Sequence, residues 1–151
     1  ATGTRRLPVA DFVLGPYQTA IDPDSEILTT VEVPRSLPGS CWGYYKIMHK
    51  PGEYASSLAG VLIDRERGVA RTVLGGANRP PVQLATTGNL LRKAPSWSSA
   101  LEEELSNSIR TDLFENDRVG DPWELRSWTT CVIRAARHAL THHHTNSGRT
   151  L

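Results

Sequence analysis

The chain has 151 residues, 38% hydrophobic and 22% charged, which is the size and composition of one domain with enough apolar material for a core. Its 17 Lys and Arg against 16 Asp and Glu leave a net charge of +1, excluding a global field that would gather nucleic acid or an anionic membrane surface. No apolar run approaches a bilayer span, nothing resembles a signal peptide, and Cys41 and Cys131 lack CxxC spacing, so both read as free thiols of a reducing, cytoplasmic compartment.

The chain opens Ala1-Thr2-Gly3-Thr4, without an initiator methionine, and runs straight into Arg5-Arg6-Leu7-Pro8. It reads as part of a larger protein. Residues 5–20 suggest an extended leading segment anchored by Phe12, Val13 and Leu14, with a turn at Gly15-Pro16. The run 26–33 is rich in β-branched residues and closed by Pro34, so a strand is expected there. Ile27, Thr29, Val31 and Val33 would share one face of it; Leu28, Thr30 and Glu32 would share the other.

A second strand is expected from Trp42 to Met48. Parity puts Tyr45 and Ile47 on one side and Trp42, Tyr44, Lys46 and Met48 on the other. After a Pro51-Gly52 turn, residues 55–63 make a small-residue apolar strand suited to a central position. Asp64 to Gly68 is a hairpin connection, and residues 69–77 return as its partner. The result is a meander of three or four antiparallel strands.

Beyond residue 82 the period changes. Residues 82–91 are weakly helical. Ser96 can cap a helix over 97–113 with Ala100, Leu101, Leu105 and Ile109 as its stripe. Asp121, Pro122 and Glu124 make a capping box with proline at the first helical position. That helix should reach Ala139 or Leu140, burying Leu125, Trp128, Val132, Ala135, Ala136 and Ala139. Strands followed by helices, rather than alternating with them, define an α+β fold.

The chemistry-bearing residues are few. Lys46 interrupts a strand-like run, and it either faces solvent from a half-buried sheet or is aimed at something anionic or electron-rich. His138, His142, His143 and His144 could approach a metal, but no carboxylate or cysteine is spaced to complete the set, and they read as a solvated tail. His49 stands without a motif. Gly75-Gly76 belongs to neither a GxGxxG nor a P-loop pattern, and Glu102-Glu103-Glu104 is a solvated helix face near the N-terminal dipole. Residue chemistry alone names no reaction.

The order of segments nevertheless resembles a known family. Gly3-Thr4-Arg5-Arg6-Leu7-Pro8-Val9-Ala10-Asp11-Phe12, Glu26-Ile27-Leu28-Thr29-Thr30-Val31-Glu32-Val33-Pro34, Tyr45-Lys46, Gly52-Glu53-Tyr54-Ala55, Gly76-Ala77-Asn78-Arg79-Pro80 and Asp121 to Leu140 follow one another as in the medium, flavin-binding subunit of molybdenum hydroxylases. That group includes aerobic CO dehydrogenase and xanthine dehydrogenase. The resemblance implies that 1–34 is the tail end of an FAD-binding domain. It also implies that 35–140 is a C-terminal domain with an antiparallel sheet of three to four strands packed on a three-helix layer, and that 141–151 is a flexible tail. It further implies a cofactor, FAD, touched by Leu28 and approached by Lys46, with partners that carry iron–sulfur clusters and molybdopterin. Where paired arginines and an aspartate are common in the family, this chain has His49-Lys50 and Glu53. The family's glycine-rich pyrophosphate loops have no counterpart in these residues, so the chain alone would hold one side of the flavin site. The alternative is a module without its own cofactor that only docks partner subunits.

Overall fold

A computed structural model describes residues 3–15, 17–76 and 79–142. Its centre is a four-stranded antiparallel sheet in the order β3-β4-β5-β6, formed by β3 (Cys41–Ile47), β4 (Ser57–Asp64), β5 (Val69–Gly76) and β6 (Arg79–Gln83). Three helices follow in sequence: α2 (Ala85–Lys93), α3 (Ser99–Glu115) and α4 (Pro122–Thr141). The α+β class and the meander are as expected, and the sheet takes the upper strand count. A short helix α1 (Val9–Phe12) and a small ribbon of β1 (Val13–Gly15) and β2 (Gln18–Thr19) precede this body.

Alternation along the strands sorts their residues between two faces. Cys41, Gly43, Tyr45 and Ile47 of β3 stand beside Ile63, Val61, Ala59 and Ser57 of β4, and these face the helices. Here α4 packs on β3 and β4, and α2 packs on β5. Helix α3 closes the layer against α2 and α4, with Leu101, Leu105, Ile109 and Leu113 buried. Each fully buried leucine or isoleucine side chain contributes roughly 1.5–3 kcal/mol of burial free energy. Ser57 and Ser127 exchange a buried hydroxyl hydrogen bond of 2.8 Å that joins β4 to α4.

Local chemistry explains the elements that formed as expected. The Asp121 carboxylate accepts from the N–H groups of Trp123 and Glu124, and the Glu124 carboxylate accepts from the Asp121 N–H, completing the capping box. At Pro51-Gly52 the chain turns with Gly52 at φ +89°, and the Glu53 N–H donates to the Lys50 carbonyl, as a type II turn requires.

Several expectations fail for physical reasons. Residues 26–33 form no strand and lie outside both sheets. A β-branched run favours a strand only when a neighbour pairs its backbone and covers a face, and here Ile27 is 87% exposed and Val33 80%. Residues 79–83, of which 82 and 83 were expected in the weakly helical stretch 82–91, form the edge strand β6. An edge strand tolerates proline because one side of its backbone needs no partner, and the register shifts just there, between Leu74 and Gly76. Helix α3 is capped by Ser98 rather than Ser96, its hydroxyl accepting from the Leu101 N–H. Leu125 stays partly exposed and Ala100 is exposed, whereas Ser127, Cys131 and Leu140 join the core of α4.

The leading segment is held by charge. The Arg5 guanidinium grips the Glu26 carboxylate at 2.5 and 2.7 Å, and Arg6 pairs with Glu32 at 3.1 Å. The Arg5 hydrogen bonds, and then the Asp22 N–H, hold the Glu26 carboxyl well below its ordinary 4.5, at about 2. A carboxylate whose pKa is lowered by folding contributes its stabilisation above the ordinary value and loses it as pH falls through the folded one. The clasp should therefore be intact above about pH 4.5 and released on the way down to about 2. In a side-chain NMR titration Glu26 should have its midpoint near 2, moving up toward 4.5 in Arg5→Ala; an unmoved midpoint would contradict the clasp.

Candidate functional site

Among the described residues the second face of the sheet carries no helix. Three cross-strand rows run over it: Trp42, Leu62 and Arg71; Tyr44, Gly60 and Val73; and Lys46, Leu58 and Gly75. Trp42, Tyr44 and Leu62 are exposed there. Gly60 sits in the middle row, and a Cβ built on it meets nothing within 4 Å. The face is thus a shallow apolar surface, low at its centre, with aromatic side chains and Lys46 on β3 and the exposed Arg71 on β5. Parity along β3 agrees with the sequence reading, for Lys46 lies on the side opposite Tyr45 and Ile47.

Lys46 is exposed on this face and lies opposite Leu58 in the register. Leu28 is half-exposed, at 53%, in the stretch that joins no sheet, so strand pairing does not bring it to Lys46. The turn after β3 is tied back to the helix layer. The His49 ring stacks on Trp123, with centroids 5.7 Å apart and planes 12° apart. Sequence spacing gives no sign of that stack, because it joins a β-turn to the first turn of a helix far along the chain. On the helix side, Arg134 lies over the Tyr45 ring at 4.9 Å and donates to its hydroxyl, fixing the strand that carries Lys46.

The other candidates resolve differently. His138 and His142 lie close, with ring centroids 4.5 Å apart, while His143 and His144 fall outside the described residues. Among the described residues no three His, Cys, Asp or Glu side chains gather as a metal-ligand set. Cys41 and Cys131 are both buried, and no disulfide joins them. Burial pushes the Cys131 thiol up to about 11, outweighing the Ile47 backbone and the Arg134 charge that pull it down, so a reactive thiolate is disfavoured there. Glu102 accepts from Arg137 at 2.6 Å, and Arg137 also covers the Trp97 ring; Glu102 is thus anchored to α4, while Glu103 and Glu104 are exposed as expected. No helix among the described residues is long and apolar enough to cross a membrane.

These elements define an α+β domain, and known proteins share its fold. The chain is 34% identical over 82 residues to the carbon monoxide dehydrogenase medium chain of Afipia carboxidovorans, covering 52% of this chain and 28% of that protein. It is 31% identical over 61 residues to the carbon monoxide dehydrogenase medium chain of Hydrogenophaga pseudoflava, covering 40% and 21%. No family model matches. Among solved structures, carbon monoxide dehydrogenase from Hydrogenophaga pseudoflava aligns with a TM-score of 0.72 at 20% identity, over 89% of this chain and 48% of that one. Quinoline 2-oxidoreductase from Pseudomonas putida 86 aligns with a TM-score of 0.69 at 18% identity, over 89% and 47%. The resemblance read from the sequence holds: the chain is similar in sequence to carbon monoxide dehydrogenase medium chains and in fold to carbon monoxide dehydrogenase and quinoline 2-oxidoreductase. The matched stretches span under a third of the length of those two relatives.

Proposed function

We propose that this chain is the C-terminal part of the FAD-containing electron-transfer subunit of a molybdenum hydroxylase. In this reading residues 35–140 are the C-terminal domain, and 1–34 are the end of an FAD-binding domain that completes the site. The exclusion of 26–33 from the sheet–helix body supports that division. The observation that carries the reading is the open face around Lys46. Two cations, Lys46 and Arg71, stand with exposed aromatic side chains on a surface left low by Gly60, Lys46 on the aromatic strand itself. Such a surface fits a flat, electron-rich ring system, and the kinship with the medium chain supports flavin as that ring.

FAD, when bound, supplies the capacity to take electrons and pass them on. The chain's own residues hold and tune it. The Lys46 ammonium stabilises negative charge at the ring edge and so favours the reduced form. Tyr44 and Trp42 shield one side of the surface from water. Leu28 contributes an apolar contact once its segment is covered. The iron–sulfur and molybdopterin centres belong to partner subunits, and the substrate is oxidised there.

The test is the flavin released on denaturing the native assembly purified with this chain, read by its fluorescence, which iron–sulfur centres do not give. Release of FAD in proportion to the chain is expected. An assembly that contains the full-length protein and releases no flavin would sink the flavin reading and favour a module that only docks partners.

A further inference from the structure

We infer that the groove between α3 and α4 receives an acidic, amphipathic segment of a partner protein. The groove has a volume of about 720 Å³ and lies between the C-terminal half of α3, the connection that follows it and the first turns of α4. It belongs to the helix layer, so the inference stands apart from the flavin reading.

Its lining is apolar where it is deep and cationic along its walls. Leu113 is buried beneath it and Leu125 is left partly open. Phe114 and Val119 stand at its edge at 86% and 80% exposure, and exposed apolar side chains gathered at one cleft mark an interaction surface. Arg110 reaches it from α3 and Arg126 from α4. Neither makes an ion pair among the described residues, where the paired cations are Arg5, Arg6, Arg67 and Arg137. Arg118 also lines the groove, but its guanidinium donates to the Pro80 carbonyl, and burial lowers its pKa. Asp117 is the one carboxylate on the lining, so the walls keep an excess of positive charge.

Charge complementarity selects the occupant. Two helices flanking an apolar cleft are the setting for helix-in-groove recognition, in which apolar side chains at i and i+3 or i+4 enter the cleft. The unpaired Arg110 and Arg126 call for carboxylates on the two sides of that apolar stripe, since guanidinium–carboxylate pairs add both attraction and register. A basic or neutral segment would leave both arginines uncompensated.

The test uses the full-length protein in its own host, with Phe114 replaced by photo-crosslinking benzoylphenylalanine and, as control, Tyr17 replaced in the same way. The crosslinked peptide is then sequenced by mass spectrometry. The expected product is a segment of another protein with net negative charge and apolar residues at helical spacing. Its yield should drop at least tenfold in the Arg110→Glu/Arg126→Glu variant, and severalfold in Arg110→Gln/Arg126→Gln should the charge reversal disturb folding. A yield no greater than from position 17, a crosslink to a second copy of this chain, a neutral or basic segment, or a yield indifferent to both arginine variants would each overturn the inference.

Discussion

Replacing Gly43 by alanine is expected to destabilise the fold by roughly 3 kcal/mol or more, at the upper end of what overpacking a core costs. A Cβ at this position would lie 2.0 Å from the Ala135 carbonyl oxygen and 2.7 Å from the Ala139 nitrogen. Both are backbone atoms of α4, so no rotamer change relieves the collision. The helix comes this near because its facing residues, Ala135, Ala136 and Ala139, are fully buried alanines. Either α4 moves off β3 or the strand bends, and each response opens the core that Val61 and Val132 share. Thermal unfolding followed by circular dichroism should fall by about 10 °C, taking roughly 3 °C per kcal/mol for a domain of this size. Gly60→Ala is the control: it adds the same methyl group to open space and should leave the transition nearly where it was.

Asp112→Ala is expected to cost a similar amount through a different cause. Helix α2 begins after Leu84, which offers no side-chain cap. Its orphan N–H groups are satisfied from α3 instead. Asp112 accepts from the Thr86 N–H at 2.8 Å through one carboxylate oxygen. Through the other it accepts from the Thr87 N–H at 2.7 Å and the Thr87 hydroxyl at 2.6 Å. The carboxylate is fully buried and sits at the positive end of the helix dipole. Removing it takes the acceptor from two buried donors of Thr87 and from the partly exposed Thr86 N–H, leaving the Thr87 hydroxyl only its 3.2 Å contact with Ser108, a loss of about 3 kcal/mol when hydrogen bonds to a charged acceptor are broken on one side only. Asp112→Asn keeps one accepting oxygen and should cost about half as much. The same thermal transition checks both; equal stability of wild type and Asp112→Ala would show that the cap carries no weight.

Legibility in the sequence followed the range of the interaction. The faces of β3 could be read because alternation is set residue by residue, and the start of α4 because Asp121, Pro122 and Glu124 lie within one turn. The Asp112 cap could not be read, since it joins residues 25 and 26 apart in sequence through a carboxylate that looks like any other on α3. The run 26–33 failed in the opposite way. Its composition is that of a strand, but a strand needs a neighbour, and the described residues offer none. For the candidate site, the side of β3 on which Lys46 stands was legible, whereas the His49–Trp123 stack and the low centre at Gly60 depend on pairing across elements.

The redox potential of the flavin in the native assembly, compared between Lys46 and Lys46→Ala, tests the central claim most directly. A cation beside the reduced ring is worth about 1–2 kcal/mol at a partly solvated site, which corresponds to roughly 20–40 mV for a two-electron couple. The account predicts a potential lowered by that amount in Lys46→Ala, or loss of FAD from an otherwise folded assembly. An unchanged potential together with unchanged FAD occupancy would contradict it.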